Sequence, residues 1–270
     1  SVDVVEIGDM KALPSNGVLP NQKRVRPLVA GISIGNWAIT AGTLGWFFEK
    51  DGVLALGSNA HVLAEDPFRN PELAPREDRI VQPGKYDGGT LDDFVGSYLW
   101  HEPLWGGPSD CPISNLYTWI GNALARILGR RSRFSVTAEG ENYIDFAVAK
   151  MHEDYKVEML GANVRNFIGL GFAGSDMASY ICKASRILET GWRPINTSTV
   201  LNPQIGATVH KVGRTSGYTH ATILDDSVHG TVSYGGGKTV EFDDIMLTTK
   251  LLDPGDSGSS CWLTYEARKQ

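Results

Sequence analysis

Lys250-Leu251-Leu252-Asp253-Pro254-Gly255-Asp256-Ser257-Gly258-Ser259-Ser260-Cys261-Trp262 sets a serine between two glycines, with steric room on both sides of its hydroxyl. Gly255 has access to backbone conformations closed to other residues, so its N–H and that of Ser257 can turn toward one point. Two donors converging there would form an oxyanion hole, in which a single donor typically contributes about 2.7–4 kcal/mol of transition-state stabilisation. The alternative reading of the stretch, taken alone, is a polar turn rich in Gly and Ser.

A serine hydroxyl is a poor nucleophile until a base and an orienting acid stand beside it. Candidates for both lie upstream: His61 in Ser58-Asn59-Ala60-His61-Val62-Leu63-Ala64, and Asp145 in Tyr143-Ile144-Asp145-Phe146-Ala147-Val148-Ala149. In the second segment Ile144, Phe146 and Val148 alternate with Asp145, Ala147 and Ala149, which predicts a strand whose aspartate shares a face with small residues. Asp92, Asp93 and Asp154 are rivals, but they stand in turn-like, charge-rich surroundings that suit an exposed carboxylate. The order His, Asp, Ser is that of chymotrypsin-like enzymes and differs from those of α/β-hydrolases and subtilisins. A hydrolase would also need G-x-S-x-G and a later histidine; position 259 is Ser, and no histidine follows Ser257.

The 270 residues suffice for one large or two small cores, and 41% hydrophobic content excludes a disordered chain. The 31 glycines and 13 prolines, scattered between short β-branched runs, favour an all-β architecture. A net charge of -6 argues against a nucleic-acid partner. Three cysteines, Cys111, Cys182 and Cys261, allow at most one disulfide, which leans toward a reducing, cytoplasmic compartment and leaves secretion open. No apolar run approaches the roughly 20 residues of a transmembrane helix.

Residues 1–26 read as an N-terminal arm, with Pro14, Pro20 and Asn16-Gly17. From Pro27 strand-like runs begin at Leu28–Gly35, Ala38–Phe47 and Val53–Leu56, followed directly by His61. Leu116, Trp119, Ile120, Ala123, Leu124, Ile127 and Leu128 recur at helical spacing, predicting an amphipathic helix over 115–129 that ends in Gly129-Arg130-Arg131-Ser132-Arg133. A helix packed on the first barrel with a solvated basic tail is one reading of 115–133. A docking site for a protein partner, a membrane-surface helix and a processing site are the others. Residues 156–206, with the Gly-rich 169–174, read as a connection. Strands resume at 207–212, 218–224, 228–234, 239–249 and 259–264.

Several motifs together resemble a family of bacterial trypsin-like peptidase domains within the chymotrypsin-like group. They are Ser33-Ile34-Gly35, Thr40-Ala41-Gly42-Thr43-Leu44-Gly45, the segment around His61, Val81-Gln82-Pro83-Gly84-Lys85-Tyr86-Asp87-Gly88-Gly89-Thr90, Lys211-Val212-Gly213-Arg214-Thr215-Ser216-Gly217-Tyr218-Thr219 and Gly255–Ser259. The resemblance runs from about residue 27 to the end. It implies a mostly β, chymotrypsin-like double β-barrel, with a first barrel over 27–155 that carries the inserted helix and a second over 207–270. His61, Asp145 and Ser257 carry over as the triad, and peptide or protein as the substrate, with no metal or cofactor required.

Further expectations follow from the same resemblance. Leu251, six residues before the nucleophile, and Leu252 beside it would form the substrate pocket and select small or medium apolar side chains. Asp256 would need a partner other than the amine of Ser1, which stands about 26 residues ahead of the first strand. The second barrel would lack its last strand, supplied by the chain's own C-terminal segment as a second chain after proteolytic processing at Gln270. The alternative function is a protease-shaped binding or scaffold module in which the triad is catalytically silent.

Overall fold

Short β-branched and aromatic runs punctuated by glycine, asparagine and aspartate fold here as antiparallel strands. The computed structural model describes residues 19–72, 78–106, 111–130, 134, 136, 140–155, 180–182, 185–195, 199–201, 204–234 and 238–263. Most of the expected arm (1–18), residues 156–179 of the connection with their glycine run, the tail 131–133 and the chain end at Gln270 lie outside the described residues.

The first sheet is built from β1 (Ser33–Asn36), β2 (Gly42–Thr43), β3 (Trp46–Lys50), β4 (Val53–Ser58), β5 (Arg79–Val81), β6 (Phe94–His101) and β7 (Ala147–Met151), in the order β2-β1-β5-β6-β7-β4-β3. β2 and β3 are one bent strand. Up to Leu44 it pairs with β1, through Gly31 N–H to Leu44 O at 2.7 Å and Leu44 N–H to Ile32 O at 2.8 Å. From Gly45 it pairs with β4, through Gly45 N–H to Gly57 O at 2.9 Å. One bent strand thus pairs with β1 through its first half and with β4 through its second, which curls the sheet into a half-barrel. Asp51 and Gly52, at φ 51° and 75°, make the two-residue turn that the twist of β3 and β4 favours.

Strand alternation then separates two cores. Phe47, Leu56, Ile80, Val95, Ala147 and Ala149 fill the barrel interior. Trp46, Phe48, Phe146 and Val148 point the other way and pack with Val212 and Trp262 of the second sheet. The Trp46 and Trp262 rings lie 4.2 Å apart between centroids.

The second sheet comprises β8 (Tyr180–Cys182), β10 (Thr199–Leu201), β11 (Thr208–Gly213), β12 (Gly217–Ser233), β13 (Thr239–Thr248) and β14 (Cys261–Leu263), in the order β10-β8-β14-β11-β12-β13; β9 (Arg193–Pro194) adds to β3 instead. All its pairings except β8 with β10 are antiparallel. Two curled, mostly antiparallel sheets with few helices constitute the chymotrypsin-like double-barrel arrangement. The break expected between strands 218–224 and 228–234 is instead a run of three register shifts inside the single long strand β12. The far half of the β12–β13 hairpin therefore reaches over the first barrel, where Val240 and Phe242 bury against Leu104.

Among the described residues the α-helices are few: the single turn α1 (Ala60–Leu63), α2 (Pro112–Ile127) and the short α3 (Ser185–Glu189). α2 is inserted between β6 and β7. It starts three residues earlier than the periodicity suggests, because Pro112 suits a first helical position. Gly129 at φ 65° closes it, with Arg130 N–H bonded back to Ala125 O at 2.8 Å.

Candidate active site

His61 sits on α1, the turn that follows β4, and Asp145 lies two residues ahead of β7, the neighbour of β4 in the sheet. The adjacency of these two strands brings the residues together: His61 Nδ1 and Asp145 Oδ2 are 2.5 Å apart. The other carboxylate oxygen accepts from the Ala60 N–H at 2.6 Å. Tyr234, at the tip of the β12–β13 hairpin, donates its hydroxyl to Oδ2 at 2.8 Å and sets its ring edge-on to the imidazole. Burial would raise the Asp145 pKa, but the charge and hydrogen bond of His61, with the Tyr234 and Ala60 donors, hold it below the ordinary carboxylate range. Burial, together with the carboxylate, drives the Tyr234 phenol upward, so it remains a donor.

Ser257 lies in a tight loop after β13, with Gly255 at φ 96° and Gly258 at φ 92°. The first barrel grips this loop through Thr43. The Thr43 N–H donates to Ser257 O at 2.8 Å, and the Thr43 hydroxyl donates to Gly255 O at 3.1 Å. Neither the Gly255 nor the Ser257 N–H has an acceptor among the described residues, and the Ser257 hydroxyl makes no hydrogen bond to His61. The loop abuts the segment leading into His61. A Cβ on Gly258 would stand 2.0 Å from Ser58 Oγ, 2.5 Å from Thr43 O and 3.2 Å from Asn59 N. Gly258→Ala therefore combines an overlap with barrel backbone and a left-handed conformation that costs an ordinary residue about 1–2 kcal/mol. The variant is expected to keep a cooperative thermal transition and to lose reactivity of Ser257 toward a fluorophosphonate probe.

Asp256 turns away from the cleft into the second sheet, where its side chain and that of Lys211 are both 0% exposed. Lys211 Nζ reaches Asp256 Oδ2 at 2.6 Å and also donates to Ser216 Oγ and Gly217 O. The carboxylate accepts further from the backbone N–H groups of Thr215 (2.9 Å), Ser216 (3.0 Å) and Asp253 (3.0 Å) and from the Ser216 hydroxyl. Against the upward push of burial, these donors hold the Asp256 pKa below the ordinary value. Beside this pair, Arg214 makes a two-pronged contact with Asp87 of the first barrel at 2.5 and 2.6 Å, and its N–H donates to Thr43 Oγ1 at 3.0 Å. The segments around Asp87 and Arg214, far apart in the chain, thus meet under the serine loop.

Leu251 is buried in the small core of the second sheet with Val209, Ala221 and Leu263, and Leu252 is exposed. Neither lines the cleft of about 230 Å³ beside Asp145, whose walls include Phe48, Ile144, Phe146, Met246 and Cys261. Burial pushes the Cys261 thiol up to about 11, which leaves it protonated and unreactive at neutral pH. Among the described residues no cluster of His, Cys, Asp and Glu has the geometry to hold a metal ion.

The chain matches no protein-family model and no curated protein. Among solved structures it is similar to a glutamic-acid-specific serine protease described as using a histidine triad in substrate binding, at 14% identity and a TM-score of 0.41 over 87% of this chain and 79% of that one. It is also similar to Protease A of Thermobifida fusca, at 12% identity and a TM-score of 0.38 over 87% and 89% of the two chains. A Nocardiopsis protease is similar at 13% identity and a TM-score of 0.38 over 89% and 92%.

Proposed function

We propose that the chain is a serine endopeptidase that hydrolyses peptide bonds through an acyl-enzyme. The observation that carries this reading is the hydrogen-bonded pair of His61 and Asp145, set against a serine loop whose Gly255 and Ser257 N–H groups have no acceptor among the described residues. With Nδ1–H held by the carboxylate, His61 presents Nε2 as the base. Ser257 Oγ attacks the scissile carbonyl carbon while its proton passes to Nε2. The carbonyl oxygen takes the negative charge and is met by the two N–H groups. Collapse of this adduct expels the amine, which takes the proton back from His61, and water repeats the sequence to release the acid.

A second reading, a protease-shaped binding module, is favoured by one observation: Ser257 Oγ and His61 share no hydrogen bond. That distance closes in many serine enzymes only when substrate is bound. A fluorophosphonate probe separates the two. The peptidase reading expects labelling at Ser257 that disappears in His61→Ala, whereas a folded sample that never labels is the binding module.

A further inference from the structure

α2 is an amphipathic helix mounted with its apolar side outward. Ile113, Leu116, Tyr117, Ile120, Leu124 and Ile127 form one stripe, and each is 40 to 81% exposed. The opposite side packs against the segment that follows the helix. There Ala125 is buried, Ser114 and Thr118 are half-buried, and the Asn122 side chain bonds both the N–H and the carbonyl of Phe134. A surface helix that serves only to cover a core is mounted the other way round, with its apolar stripe inward. An exposed apolar face of this extent marks an interaction site.

Charge and ring chemistry indicate what covers it. Between Cys111 and Ala138 the sequence holds four arginines, Arg126, Arg130, Arg131 and Arg133, and no acidic residue, in a chain whose net charge is -6. Trp119 and Tyr117, 69% and 70% exposed, are the residue types that settle at a boundary between water and hydrocarbon. The helix has 16 residues, short of the roughly 20 needed to cross a bilayer. No helix among the described residues is long and apolar enough to do so.

We propose that α2 docks this protein in the plane of an anionic lipid surface, its apolar stripe sunk among the acyl chains and its arginines at the headgroups. An amphipathic helix combining apolar area with basic charge binds such surfaces through both. The attraction belongs to the lipid charge rather than to one partner fold, so an uncharged bilayer is a poor substitute.

The test is co-sedimentation of the full chain with vesicles of phosphatidylcholine alone and with vesicles of equal parts phosphatidylcholine and phosphatidylglycerol, alongside sedimentation velocity without lipid. The proposal expects binding to the anionic vesicles, little to the neutral ones, and release at high salt. The double variant Ile120→Glu, Ile127→Glu abolishes binding with an unchanged thermal transition, since both side chains are exposed. Arg126→Gln with Arg130→Gln weakens the anionic binding by roughly tenfold or more and leaves any neutral binding unchanged. Absence of binding to anionic vesicles overturns the proposal, as does binding that survives the two glutamates. A dimer in solution that the two glutamates dissociate overturns it too, since a second copy would then be the occupant.

Discussion

Asp145→Asn is expected to slow acylation of Ser257 by about 10⁴-fold while leaving both sheets folded. The hydrogen bonds around the carboxylate give the reason. Oδ1 accepts from the Ala60 N–H, and Oδ2 accepts from Tyr234 and faces His61 Nδ1. An asparagine can satisfy Ala60 only by turning its carbonyl oxygen there, which aims its NH2 at the imidazole. The NH2 then donates to Nδ1, the ring proton moves to Nε2, and the base has nothing with which to accept the serine proton. The flipped amide fares no better, because its NH2 would meet the Ala60 N–H donor to donor. The amide occupies nearly the same volume, so the thermal transition should move far less than the rate. The measurement is the rate constant for fluorophosphonate labelling beside a thermal melt. A variant that labels within tenfold of the parent would remove Asp145 from the orienting role. Tyr234→Phe is the companion: it deletes one of three donors to the carboxylate without reversing the tautomer, so its loss is much smaller.

What could be seen in the sequence follows the reach of each interaction. The bend of one strand at Gly45 falls within the strand-like run Ala38–Phe47, and the alternation at 144–149 predicted two faces. Ile144, Phe146 and Val148 do pack on the inter-sheet side, and Ala147 and Ala149 pack inside the barrel. The helix was legible as a periodic stripe, but periodicity says only that a stripe exists and not what it faces. Asp225-Asp226-Ser227 has the composition of a turn, and pairing with β13 made it an irregularity within a strand. Thr43 and Tyr234 carried no signal of their own, since each acts across a separation in sequence that only the fold bridges. Lys211 did carry one. In β11 it shares a face with Val209, so a lysine stood on the buried side of a strand, where an unpaired charge is not tolerated and an acidic partner must exist. Leu251 was assigned by analogy of position alone, and a leucine is as much at home in the core it joins.

Lys211→Met should cost the protein about 3–5 kcal/mol of stability, the usual result of removing one partner from a buried ion pair. Methionine fills most of the space of the lysine stem, so the penalty falls on Asp256, left without its cation at a fully buried position. In the native chain the depressed Asp256 pKa contributes stability above the ordinary carboxylate range, and that contribution is lost as pH falls through the folded value. In the variant the backbone donors remain but burial acts without the ammonium, so the Asp256 pKa rises and the ionised form is the strained one. The gap in stability between parent and variant should therefore be widest near neutral pH and shrink on acidification. Urea unfolding at several pH values reads it directly. The serine loop should also suffer, because Asp256 anchors the residues on either side of it. The neighbouring Gly255 and Ser257 N–H groups lose their fixed direction, and fluorophosphonate labelling falls even where the protein is folded. Lys211→Met combined with Asp256→Asn removes both charges and should recover much of the stability without recovering the labelling rate, since the asparagine amide cannot accept from as many of the surrounding donors. Equal stability of Lys211→Met and parent at neutral pH would show that the pair does not hold the loop.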